Sequence, residues 1–127
     1  MCIAFQKEPK LERAIEDIRV LKYTYQTKIQ KFLFIKRTIT KGQFYDKTYK
    51  IGRIYREHLE KPKDYTGTGV FISSTGLYSY STFIDPEDFI DNKYIFRAII
   101  PKGSKYYYDQ SRGVYISNKL KLVMTDL

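Results

Sequence analysis

Apolar and polar residues alternate along this chain more often than they recur at helical spacing. From Ile18 the alternation is regular: Ile18, Val20, Lys22 and Thr24 fall on one side of an extended segment, and Arg19, Leu21, Tyr23 and Tyr25 on the other. Residues 29–37 (IQKFLFIKR) predict a second strand, with Phe32 and Phe34 opposed to Leu33 and Ile35. Residues 51–57 predict a short strand, and 69–73 and 76–80 two further pieces split by Ser73–Gly76. Residues 93–100 (KYIFRAII) form the strongest strand, and their apolar density predicts a central place in a sheet. Pro101-Lys102-Gly103-Ser104 ends it in a turn, and 105–108, 113–117 and 119–124 follow as short strands. Residues 40–50, with Gly42, and 61–69, with Pro62, Gly67 and Gly69, predict loops.

Two segments fit a helix instead. Residues 9–17 place Pro9 in a first turn and let Leu11, Ala14 and Ile15 or Ile18 share a face. Asp85-Pro86-Glu87-Asp88 offers a cap, a first-position proline and acids in the first turn. That second helix is expected to run to Asn92 with Phe89 and Ile90 inward, an alternative start lying at Ser81 or Thr82. The expected fold class is α+β: a curved, mainly antiparallel sheet with two short helices, residues 1–127 forming one domain.

Composition sharpens this picture. Thirteen Tyr and 8 Phe with no Trp are more rings than a small core needs, so several tyrosines are expected at the surface or along a groove. The formal charge is +9, and its whole excess lies in residues 1–63, which hold 16 Lys and Arg against 7 Asp and Glu. Such a field attracts phosphates, nucleic acid or acidic surfaces, although solubility alone is a sufficient reason for it. Cys2 is the single cysteine and His58 the single histidine, which argues against a disulfide scaffold and against a Cys/His zinc site. No apolar run approaches the roughly 18 residues of a membrane-spanning helix, and no signal peptide precedes Lys7–Lys10. The expectation is a cytoplasmic protein, without metal, cofactor or membrane.

Several stretches carry a resemblance. They are Asp17-Ile18-Arg19-Val20-Leu21-Lys22, Tyr49-Lys50-Ile51-Gly52-Arg53-Ile54-Tyr55 and Gly76-Leu77-Tyr78-Ser79-Tyr80. The most specific is Ala98-Ile99-Ile100-Pro101-Lys102-Gly103-Ser104-Lys105-Tyr106-Tyr107, followed by Tyr115-Ile116-Ser117-Asn118-Lys119-Leu120. With these the chain resembles a group of small proteins encoded by bacteriophages and prophages. The resemblance implies a viral origin, and hence the cytoplasm of an infected bacterial host, rather than a particular chemistry. The group often has His where this chain has Tyr78, a departure that counts against catalysis at that position.

The candidate chemistry is binding. Lys102, Lys105, Tyr106, Tyr107, Tyr108, Arg112, Tyr115 and Lys119 crowd into one segment, where rings suit bases and cations suit phosphates. In an alternating strand Tyr106 and Tyr108 share a face and Tyr107 takes the other; the competing reading is one core face and one plain solvated face. Arg53 and Tyr55 share a face, as do Arg56 and His58; here the competing reading is a charged edge strand that discourages aggregation. Tyr78, and Arg97 in the strongest strand, complete the ligand-binding candidates. The loop 63–69 (KDYTGTG) has glycines whose amides suit phosphate but lacks a P-loop ending.

No catalytic set emerges. An ADP-ribosyltransferase plan would use Arg53 or Arg56 with Ser74-Thr75 and Tyr78, but it lacks its glutamate on a late strand. No Ser sits in a nucleophile elbow, and Cys2 has no activating signature. The expected function is non-enzymatic binding of a nucleotide-like, phosphate-bearing ligand, in concrete form a sponge that sequesters a cyclic-nucleotide immune signal, assembled as a homo-oligomer. Two alternatives stand beside it: a basic DNA- or RNA-binding protein, and a virion component or protein inhibitor of a host enzyme.

Overall fold

A computed structural model describes residues 3–32, 35–42, 48–81 and 94–124. In chain order the strands are β1 (Ile3–Phe5), β2 (Glu12–Arg13), β3 (Ile18–Phe32), β4 (Ile35–Gly42), β5 (Thr48–Lys50), β6 (Ile54–Arg56) and β7 (Lys63–Asp64). They continue as β8 (Phe71–Ser73), β9 (Leu77–Tyr80), β10 (Tyr94–Ile100), β11 (Lys105–Asp109), β12 (Val114–Ser117) and β13 (Lys119–Met124). Every pairing among the described residues is antiparallel. A small sheet runs β1-β8-β7, and a large one runs β2-β11-β12-β9-β3-β10-β13-β6, with β4 and β5 branching from β3.

The large sheet curls onto itself. β12 pairs with β9 and β13 pairs with β10, yet Asn118 alone separates β12 from β13. β9, β3, β10 and the 114–124 segment therefore make a closed circuit of pairs. Asn118 makes the corner: its N–H donates to Lys105 O at 3.0 Å, and its Oδ1 accepts from Lys105 N at 2.9 Å. One extra residue there shifts the alternation, so Val114 and Ile116 join one cluster while Leu120 and Leu122 join the other.

Two cores result. The inner one draws Val20 from β3, Leu77 from β9, Phe96, Ala98 and Ile100 from β10, and Leu120 and Leu122 from β13, with Tyr49. The outer one packs Phe5 and Phe71 of the small sheet against Tyr78, Tyr80, Tyr107 and Ile116. Gly76, at φ +85°, immediately precedes β9, and a Cβ there would come within 2.6 Å of Ile116 Cγ2 and 2.8 Å of Leu59 Cδ1, so a side chain would be both strained and crowded. The seam between β3 and β9 is the thinnest in the circuit, a single pairing of Leu21 with Tyr80. Beside it the ammonium of Lys22, a side chain 2% exposed, donates to Tyr78 O at 2.6 Å. It also lies 5.3 Å from the Tyr49 ring centroid and 5.7 Å from that of Tyr78.

The alternation from Ile18, the central strand and the 101–104 turn stand as the sequence predicts: β10 is flanked by β3 and β13. Three expectations are corrected. Among the described residues there is no helix. Residues 9–17 form the two-residue strand β2 and irregular backbone because Ala14 is docked by its backbone, N–H to Ser104 O and C=O from Gly103 N, each at 2.8 Å. Leu11 (48% exposed) and Ile15 (82% exposed) find no core, and nine residues without a packed face do not hold a helix. The second correction is at 29–37, which is not one strand: Phe32 pairs with Ile35, so the chain reverses inside this apolar run. The third is that the 40–50 loop is shorter than expected, since β4 continues to Gly42 and β5 begins at Thr48. The expected helix Asp85–Asn92 lies outside the described residues.

Candidate functional site

The crowded tyrosines of β11 divide by strand parity. Tyr107 goes to the outer core, where burial pushes its hydroxyl pKa up, against a smaller opposing pull from Lys61. Tyr106 and Tyr108 lie on the opposite face and meet Tyr115 of β12: Tyr108 and Tyr115 stack at 4.3 Å between centroids, and Tyr106 tilts against Tyr115 at 5.6 Å. These rings spend their faces on each other. Burial, then a hydrogen bond to Glu12, pushes Tyr106 up to about 12. Tyr78 is wholly in the outer core.

The other candidates hold structure together or lie apart. Arg112 Nε donates to Asp109 Oδ2 at 2.9 Å, and Asp109 Oδ1 accepts from Ser111 N at 3.1 Å and Ser111 Oγ at 2.6 Å. The guanidinium of Arg53 lies 5.6 Å from the Tyr55 centroid, and Tyr55 Oη accepts from Lys50 N at 2.8 Å. Arg56 is on the terminal strand β6, opposite Lys119, in keeping with a charged edge. His58 Nε2 lies 3.3 Å from Glu60 Oε1. Lys105 is opposite Arg13, and Lys102 is an exposed turn residue whose N–H donates to Asp17 Oδ1 at 2.8 Å. In the 63–69 loop Gly69 N donates to Asp64 Oδ1 at 3.1 Å, so this amide is already used by the loop's own carboxylate.

Asp109 gives a pH handle on this turn. Burial works against its charge, but the Ser111 and Arg112 hydrogen bonds win and hold the carboxyl below its ordinary 3.8. A folded-state pKa below the unfolded one means stability that is complete above the ordinary carboxylate pKa and lost as pH falls from there through the lower folded value. Thermal melts are expected to show a smaller acid-side loss below about pH 4 in Asp109→Asn than in the wild type. Equal losses would show that another carboxylate controls acid unfolding.

Among the predicted residues Arg97 borders one groove, while Tyr106, Tyr108 and Tyr107 each border another. Register places Ile99 opposite Arg19 and Arg97 opposite Leu21, so the two arginines are diagonal neighbours on adjacent strands. They border an open groove of ≈ 600 Å³ whose floor includes Leu21, Ile99 and Val123, with Ser81 at one side. Lys121 of β13 is the next residue in the Arg19–Ile99 row. Arg19 also borders a neighbouring cleft that Glu12, Glu16 and Asp17 line. Two planar guanidinia over an apolar floor can grip phosphate oxygens in pairs while a ring or sugar rests below. Sequence reasoning missed Arg19 as a partner of Arg97. The available signal was its place in the alternating strand on the side of Leu21 and Tyr23. No family model, curated protein or solved structure matches the chain.

Proposed function

We propose that this protein binds phosphate-bearing nucleotide ligands without turning them over, and that its ligand is nucleic acid held by the phosphate backbone. The observation that carries this reading is the Arg19–Arg97 groove: two guanidinia, diagonal across β3 and β10, above an apolar floor that is open to solvent. An open groove suits a polymer that passes through it. A sponge for a small cyclic nucleotide needs most of the ligand's surface enclosed. The one-sided charge supports the same choice. Residues 18–45 contain seven Lys and Arg and no Asp or Glu, and Arg19 stands near the start of that run.

The test is a titration of labelled single-stranded and duplex oligonucleotides, followed by fluorescence anisotropy over a range of salt. Binding is expected to weaken by roughly tenfold for each tenfold rise in salt per phosphate contacted. A panel of cyclic nucleotides run beside it separates the two forms of the proposal. Tight, salt-insensitive capture of one of them, with no binding of oligonucleotides, would replace the polymer by a small ligand.

A further inference from the structure

We infer that the Arg19–Arg97 groove is one end of a longer track for single-stranded nucleic acid, laid across the outer faces of β3, β10, β13 and β6; this rests on the nucleic-acid reading above. The four strands are consecutive in the large sheet. Their registers join into one row: Arg19 is opposite Ile99, Ile99 opposite Lys121, and Lys121 opposite Ile54. Cation and apolar residue thus alternate across four strands, over roughly 14 Å at the ordinary strand spacing. Parity sets which way the row faces. Val20, Ala98, Leu120 and Leu122, its neighbours along three of the strands, all belong to the inner core. The row therefore lies on the outer surface, where Arg19 is exposed and Ile54 is 41% exposed.

The rows on either side continue the pattern. On one side Leu21 is opposite Arg97, with Val123, 40% exposed, at the bulge between β10 and β13. On the other side Lys119 is opposite Arg56. Like charges in that relation repel, and a polyanion beside them relieves the repulsion. Among the described residues, the outward positions of these four strands hold five cations and no carboxylate. Asp17, just before β3, accepts from Lys102 N–H at 2.8 Å. The width of the face argues against a duplex. Four strands span roughly 14 Å between outer axes, more than the major groove of about 12 Å, which admits a helix or a two-stranded ribbon. A duplex could then touch the face with its phosphates alone, leaving the apolar residues uncovered. Ile54, Ile99 and Val123 are covered by a chain that lays unpaired bases or sugars on them while its phosphates reach the cations between.

The experiment titrates a labelled, mixed-sequence single strand of about 12 nucleotides, and the duplex it forms with its complement, over a range of salt. The wild type is expected to bind the single strand more tightly than the duplex. A variant carrying Arg56→Ala and Lys121→Ala, both outside the groove lining, is expected to lose about twenty-five-fold on the single strand, and its salt slope to flatten by about 1.4. Ile54→Ser changes no charge. It is expected to lose roughly fourfold on the single strand with an unaltered slope, and to leave duplex binding as it was. A wild type that prefers the duplex, or a double variant with unchanged affinity and slope, overturns the track. So does an Ile54→Ser variant that loses single strand and duplex equally, since the residue then supports its strand and not the ligand. Tighter binding of the wild type to phosphatidylserine-containing vesicles than to the single strand, lost in the double variant, overturns it as well. An unaffected double variant beside a weakened Arg19→Ala variant removes the track and keeps the groove. A wild type that binds neither nucleic acid removes the parent reading too.

Discussion

Replacing Arg19 and Arg97 together by alanine is expected to weaken oligonucleotide binding by about sixtyfold near 0.1 M salt, and to flatten the salt slope by about two. The size follows from counterion release. Each phosphate neutralised on a duplex contributes a slope of about −0.9, so one contact counts for roughly eightfold between 0.1 M and 1 M salt. Two independent contacts multiply. Single strands, with a slope nearer −0.7 per contact, are expected to lose about twenty-five-fold. The arginines lie on β3 and β10 with their Cα atoms set by the same ladder, so they are near enough for a single stretch of backbone to be expected to meet both. Lysine at both positions separates charge from geometry. If point charge is what counts, the double lysine variant keeps the wild-type slope. If paired guanidinium hydrogen bonds count, it keeps the slope and still loses affinity. A double alanine variant with wild-type affinity and slope, and wild-type melting, would show that the groove is not where phosphate is held.

How far the sequence alone leads depends on whether a feature is decided locally. Strand alternation at 18–24 is legible because a period of two with Val20 buried and Arg19 exposed specifies which face meets the core. The same holds for β10, whose density of apolar residues reflects neighbours on both edges. Residues 9–17 mislead for the opposite reason. Leu11, Ala14 and Ile15 match a helical face, but the decision is made by Ala14 bonding to Gly103 and Ser104, about ninety positions away. The reversal after Phe32 has no Gly, Pro, Asn or Asp to announce it, so a continuous β-branched and aromatic run reads as one strand.

The site divides along the same line. Tyr106, Tyr107 and Tyr108 attract notice by their density, yet parity alone sends Tyr107 to the outer core and the other two against Tyr115. Thirteen tyrosines suggest a binding surface, whereas Tyr23, Tyr49, Tyr78, Tyr80 and Tyr107 are buried. In a small curled sheet their rings fill the two cores, and Tyr23 stacks on Tyr80 at 5.0 Å. Arg19 and Arg97 are separated by most of the chain, and their adjacency follows from a pairing register that no local pattern states.

Lys22 is where local alternation and core chemistry conflict, and its removal is expected to be the costliest single change in stability. It shares its face with Val20 and Thr24 and stands opposite Phe96, a core position occupied by a cation. Truncation to alanine removes three methylenes at about 0.8 kcal/mol each, and a charged hydrogen bond to Tyr78 O that contributes roughly 1.5–3 kcal/mol. Against this stands the recovered cost of keeping an ammonium out of water, which for buried charges is several kcal/mol. The net expectation for Lys22→Ala is a loss of ~2–3 kcal/mol, because the vacated space among Tyr49, Tyr78 and Phe96 adds a cavity term. Lys22→Met keeps the volume and discards both the charge and the hydrogen bond, so it is expected within about 1 kcal/mol of the wild type. Denaturant unfolding measures both. Hydrogen exchange distinguishes a stitch from a plug: with methionine, the amides of Leu21 and Tyr80 at the single β3–β9 pairing are expected to exchange faster while those of the β3–β10 ladder do not. An alanine variant as stable as the wild type, or a methionine variant with unaltered exchange at the seam, would mean that the circuit closes without help from this ammonium.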